Sequence, residues 1–122
     1  MKNAILICCC AITCNISFAQ KTQQEKIDSV CELVKKYWVE KNTDKIYDMT
    51  GELFRQQLSP ENFKTVCNQN LFPLGEMKTN FESFSNGINK YKAVFTSDSL
   101  SLYLSLDAKD KIETFLFKPY GQ

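Results

Sequence analysis

Acid–base and nucleophilic chemistry near neutral pH most often rests on imidazole, and this chain has no histidine. That absence excludes a Ser-His-Asp triad, a Cys-His pair, an HExxH zinc site and any imidazole acid or base. Carboxylates, tyrosines and thiols remain. An acid–base enzyme built from them sets a carboxylate base against a tyrosine or a protonated acid, tuned by burial. The available carboxylates are Asp48, Glu82, Asp107 and Glu113, with Tyr37, Tyr47, Tyr91 and Tyr103 as donors. None stands in a distinctive motif. Tyr47 and Asp48 are adjacent on a helix and point to different sides, and Asp107 and Asp110 flank a turn, where aspartate is ordinary turn chemistry. The residue types therefore predict no catalytic residue, no cofactor and no metal site.

Six cysteines are present, four of them (Cys8, Cys9, Cys10 and Cys14) in or beside an apolar N-terminal run. Residues 1–19 read as a signal peptide: Lys2 supplies the basic start, residues 4–14 the apolar stretch and Ser17-Phe18-Ala19 the end, with cleavage before Gln20. The apolar run is about ten residues, half of the roughly 20 that a membrane span needs. The expected product, residues 20–122, is exported to a periplasmic or extracellular compartment. It touches no membrane unless a leader cysteine is lipidated, and the residues before those cysteines (Ile7, Cys8, Cys9 and Thr13) fit lipidation poorly. Removing the leader leaves 14 basic and 14 acidic side chains, a balance that argues against nucleic acid as a partner. Cys31 and Cys67 remain. A Cys31–Cys67 disulfide would close a loop of about 35 residues and add roughly 3–4 kcal/mol on the chain-entropy argument; two unpaired thiols serving as small core residues are equally compatible with the sequence.

The elements that must position these groups follow from periodicity. Across residues 23–41, Ile27, Val30, Cys31, Val34, Tyr37 and Trp38 recur at three- and four-residue steps, opposite Glu25, Asp28, Glu32, Lys35 and Lys36, which predicts an amphipathic helix. Thr43 is the expected cap of a second helix reaching residue 58, weakened at Gly51. Ser59-Pro60-Glu61 starts a third, ending near residue 70. The period then switches to two. Strands are expected over residues 76–84, 88–96, 100–106 and 111–118, with Asn86-Gly87 forming the first hairpin turn. Phe115, Leu116 and Phe117 put apolar residues on both faces of the last strand, which predicts that something covers each face. Short turns make sequential strands neighbours, so the expected fold is a single α+β domain with three N-terminal helices and a curved four-stranded antiparallel meander wrapping the first helix.

This arrangement resembles the cone-shaped, cystatin-like fold of the nuclear transport factor 2-like superfamily. Four stretches carry a closer resemblance to an exported bacterial family, domain of unknown function 3887: Leu71-Phe72-Pro73-Leu74-Gly75-Glu76-Met77, residues 84–95, residues 100–106 and residues 111–120. The resemblance implies a domain that occurs alone or ahead of a serine hydrolase related to β-lactamases, with Lys118-Pro119-Tyr120 at the exit toward the linker. The hydrolase motifs are not here: no serine is followed three residues on by lysine, and no Lys-Thr-Gly occurs.

Tyr37, Trp38, Tyr91, Phe95, Phe115 and Phe117 could line a pocket for a small apolar ligand between helix and sheet, or simply fill the core. Lys90 and Lys92 share a strand face near Tyr103 or Ser101, as a solvated face or a docking surface, and Phe72 and Leu74 could seal the mouth of the cone or mark a protein contact. The reading that results is a non-catalytic binding or protein-interaction module, with homodimerisation through the sheet as an accompaniment. Its alternatives are an accessory domain of a β-lactamase-related serine hydrolase system and a small isomerase-like or hydrolase-like enzyme using a buried carboxylate and tyrosine.

Overall fold

The structure, a computed structural model, describes residues 22–121. The expected signal peptide and its cleavage point lie outside the described residues. Helix α1 (Gln23–Val39) opens with a reciprocal cap: Thr22 Oγ1 accepts from Glu25 N at 3.2 Å, and Thr22 N donates to Glu25 Oε1 at 3.0 Å. Its buried stripe is Ile27, Cys31, Val34 and Trp38, with Val30 and Tyr37 packed at the margins. No helix among the described residues is long and apolar enough to cross a membrane.

Among the described residues four helices form where three are expected. The second one divides at Gly51 into α2 (Thr43–Asp48) and α3 (Glu52–Gln57). Thr43 does not cap α2; Asn42 does, its side-chain oxygen accepting from Lys45 N at 3.2 Å while Thr43 is buried. The chain breaks at Gly51 because its backbone joins the sheet: Gly51 N donates to Ile112 O and Ile112 N to Met49 O, each at 2.8 Å. A β-carbon at position 51 would stand 2.2 Å from Asp107 Oδ2 and 3.2 Å from Lys111 Cβ, so any larger residue must push the Asp107 carboxylate out of its turn. Helix α4 (Pro60–Val66) starts as the sequence predicts, with Ser59 Oγ accepting from Asn62 N at 3.2 Å and Pro60 at the first position. A π-turn (Cys67–Leu71) and a 3₁₀ turn (Phe72–Leu74) lead into the sheet.

Strands β1 (Lys78–Ser85), β2 (Ile88–Val94), β3 (Ser99–Leu106) and β4 (Ile112–Pro119) form one antiparallel sheet in the order β1-β2-β3-β4, as the short turns require. Asn86 and Gly87, at φ +53° and +77°, make the β1–β2 turn. Leu102 sits opposite Tyr91 on one side and Phe117 on the other, and Leu104 opposite Asn89 and Phe115. These positions form the inner face, on which α1 packs across β2 and β3. Glu82 is the extra residue of a bulge in β1, since Phe81 pairs with Tyr91 and Ser83 with Lys90. In β4 the expected two-sided cover is absent: Phe115 and Phe117 are half-buried on the inner face, whereas Leu116 is 45% exposed on the outer one.

Candidate functional site

The six aromatic residues singled out from the sequence separate in space. Trp38 meets Phe72 edge-on at 5.1 Å between ring centroids, Phe95 at 5.8 Å and Phe117 at 5.9 Å. Phe117 continues to Phe115 at 5.4 Å, and Phe115 to Phe63, which joins Tyr47 and Phe54. The rings thus fill one another's space in edge and tilted contacts, the preferred geometries of close-packed aromatics. A depression of about 200 Å³ reaches the edge of this cluster at Trp38 and Phe72, lined further by Val39, Lys41, Gly75 and Glu76. Trp38 Nε1 is satisfied by Gly75 O at 3.2 Å. Tyr37 is half-buried, with the Lys36 and Lys45 ammonium groups over its ring at 5.9 and 5.5 Å. Tyr91 is elsewhere, under Phe81 at 6.0 Å.

At Tyr91 the structure builds a polar cluster. The Tyr91 hydroxyl donates to Asp28 Oδ1 at 2.5 Å and accepts from Asn89 Nδ2 at 2.8 Å. Asn89 Nδ2 also reaches Asp28 Oδ1 at 3.1 Å and Gln24 O at 3.3 Å. Two hydrogens on that nitrogen serve three acceptors, while the fully buried Asn89 Oδ1 has no partner. Burial, followed by donation to Asp28, pushes the Tyr91 hydroxyl well above the ordinary tyrosine range, so it stays protonated. Asp28 was absent from the carboxylates considered on sequence because the α1 pattern placed it on the polar side. The signal that finds it is the stripe Gln24, Asp28, Cys31 at helical spacing, ending on a buried residue.

This is a carboxylate facing a tyrosine, but the tyrosine's proton is already committed to the carboxylate. The surface depressions lie elsewhere: none of those beside Trp38, between α1 and β1 (about 580 Å³) or between α3 and the β3–β4 turn (about 570 Å³) is lined by Asp28, Asn89 or Tyr91. The carboxylates considered from sequence are dispersed. Asp107 Oδ1 accepts from Lys109 N at 2.8 Å and Lys111 N at 3.0 Å as a turn residue, Asp48 and Glu113 are exposed, and Glu82 lies on the outer face. The Tyr47 hydroxyl donates to Leu58 O at 2.7 Å.

Cys31 and Cys67 are buried free thiols. Burial pushes Cys31 up to about 11, against the smaller opposing effect of Thr79, whose Oγ1 lies 3.9 Å from the sulfur, and pushes Cys67 up to about 12. Neither thiol is primed as a nucleophile. Among the described residues no group of three or more His, Cys, Asp or Glu side chains could hold a metal ion.

Two exposed surfaces remain. The first is β1, an edge strand with seven of its eight residues exposed, including Phe81 at 44% and Phe84 at 42%. The groove between α1 and β1 runs along it, lined by Val39, Met77, Lys78, Thr79 and Asn80 among others. The second is the outer sheet face, where Lys90 and Lys92 lie beside Tyr103 and Ser101 as the strand pattern predicts. The chain matches no protein-family model, no curated protein and no solved structure.

Proposed function

We propose that the chain is an exported, non-catalytic protein-interaction module, a cone-shaped domain of the nuclear transport factor 2-like kind, whose partner adds an extended segment along the free edge of β1. The observation that carries this reading is that edge: an unpaired row of backbone donors and acceptors beside a groove, with Phe81, Phe84 and Val39 exposed around it. Main-chain bonds to such an edge supply affinity, and the flanking side chains supply selectivity. The interlocked packing of Trp38, Phe95, Phe115 and Phe117 favours a surface over an interior ligand pocket. Charge favours a partner other than a second copy on the outer face, because isologous pairing there would set Lys90, Lys92 and Lys118 near their own equivalents. The same edge would serve a chain working beside a separate serine hydrolase.

The test is a photo-crosslinking residue at Asn80, exposed on β1 in the same groove, in cells that export the chain, with the attached segment identified by mass spectrometry. One dominant partner, joined through an extended segment and lost in Val39→Lys/Phe84→Lys with unchanged thermal unfolding, is expected, since both side chains are exposed. Adducts no more abundant than those from a crosslinker at the exposed Leu116 would refute it. The enzyme reading is supported by one observation, the Asp28–Tyr91 pair. It ranks second because Tyr91 is only 3% exposed and its proton is spent on Asp28.

A further inference from the structure

The outer face of the sheet carries a side-chain cluster that the edge-docking reading does not use. Glu82, in the β1 bulge, is held from two directions: Tyr120 donates its hydroxyl to Oε2 at 2.5 Å, and Lys90 Nζ lies 3.7 Å from Oε1. Lys92 Nζ sits 4.8 Å over the Tyr120 ring, and Lys118 Nζ 5.4 Å over the Tyr103 ring. Neither Lys92 nor Lys118 has a carboxylate within 4.0 Å among the described residues. The one acidic group of the cluster is therefore occupied, and two ammonium charges are left without a counterion.

Ser101 stands between those two lysines. Its register partners are Lys92 on β2 and Lys118 on β4, so the three residues form one row across three strands. Two strand spacings place the backbones of the lysines about 10 Å apart, within reach of one small group lying above the serine. Ser101 is fully buried beneath its neighbours, and its hydroxyl has no hydrogen-bond partner. A buried hydroxyl without a partner costs stability in the free protein unless a ligand uses it.

We propose that the row Lys92–Ser101–Lys118 binds a phosphate group. Two ammonium groups match the charge of about −2 on a phosphate monoester, and a hydroxyl donor between them fits a tetrahedral oxyanion. Tyr120 and Tyr103 flank the row, each with one of the two ammonium groups over its ring. The phosphate can belong to a soluble ester or to a lipid headgroup, and the test separates the two.

The experiment is an amide NMR titration of residues 20–122 with inorganic phosphate at low salt, alongside sedimentation with phosphatidylglycerol and phosphatidylcholine vesicles. Saturable shifts centred on Lys92, Ser101 and Lys118 are expected, weakened at least about tenfold in Lys92→Gln/Lys118→Gln. Ser101→Ala separates ligation from folding: it weakens phosphate binding severalfold while leaving the free protein at least as stable, since the hydroxyl it removes has no partner. Sedimentation with phosphatidylglycerol alone, abolished by the double lysine variant, assigns the phosphate to a headgroup; saturation by inorganic phosphate without vesicle binding assigns it to a soluble ester. Neither form of binding, or binding that survives Lys92→Gln/Lys118→Gln, overturns the proposal. Val39→Lys/Phe84→Lys leaves phosphate binding intact, so failure of the edge-docking reading and failure of this one are separable.

Discussion

Buried groups without charge dominate at the scale of single residues. The Cys31 and Cys67 thiols are raised by burial from the ordinary 9.0 to about 11 and about 12. In the unfolded chain they ionise first, so their contribution to stability is complete below pH 9 and is lost as pH rises from there through the folded values. Urea unfolding at pH 8 and pH 10.5 should show the folded state weakening by about 2 kcal/mol per thiol at the higher pH. Cys31→Ala/Cys67→Ala should flatten that slope, and an unchanged slope would place the alkaline loss on other groups. Tyr91, also raised, adds a change of the same sign. Its hydroxyl is the hub of the Asp28–Asn89 cluster, and Tyr91→Phe should cost about 1–3 kcal/mol. In a cycle with Asp28→Asn, a coupling of about 0.5–3 kcal/mol is expected; zero coupling would mean the 2.5 Å contact adds nothing to stability. The buried, unpaired thiols were one of the two readings the sequence left open, but the cluster was not legible there, because Asp28 meets partners 61 and 63 residues away that a helical pattern cannot register.

Among the elements, α1, the start of α4 and the four strands were legible because each is set by local signals: a stripe at helical spacing, Ser59-Pro60, and period-two leucines in β3. The division at Gly51 was visible only as a weak point. Its cause is Asp107 on a distant turn and the backbone bonds to Ile112, which no local rule contains. Arg55 holds the two halves, donating Nε to Thr50 Oγ1 and Nη2 to Tyr47 O, both at 3.1 Å. Gly51→Ala should therefore destabilise by about 1–3 kcal/mol as an overpacking change, measured by chemical denaturation, even though alanine ordinarily favours helix. A neutral or stabilising result would show that the Asp107 turn yields freely. The same bridge of Thr50 to Ile112 covers the start of β4, the other edge of the sheet, whereas among the described residues no such bridge meets β1.

Across the whole molecule, the chain of rings from Phe72 through Trp38, Phe117, Phe115 and Phe63 to Phe54 joins α1, the short helices and β4 into one core. Trp38 is the single tryptophan and is 3% exposed, so its fluorescence reports on the centre of that core. Thermal unfolding followed by Trp38 emission and by far-ultraviolet circular dichroism should give superimposable transitions, as two-state behaviour requires. Separated midpoints would show that the helices leave the sheet before it melts. The aromatic residues were legible as core material from their spacing, whereas their division between the ring chain and the Tyr91 cluster needed the strand register.

The bulge at Glu82 acts as a ruler on whatever meets the β1 edge. A regular incoming strand finds an uninterrupted ladder only over residues 78–81, about 13 Å of backbone, before the extra residue throws the following positions out of step. Longer flat strands lose register there, and with them the stacked copies that build fibrils, while a four-residue segment or one carrying its own matching kink is admitted. Selection by length and shape would thus be written into the backbone, with Phe81 as the last rung of the straight portion and Phe84 beyond it.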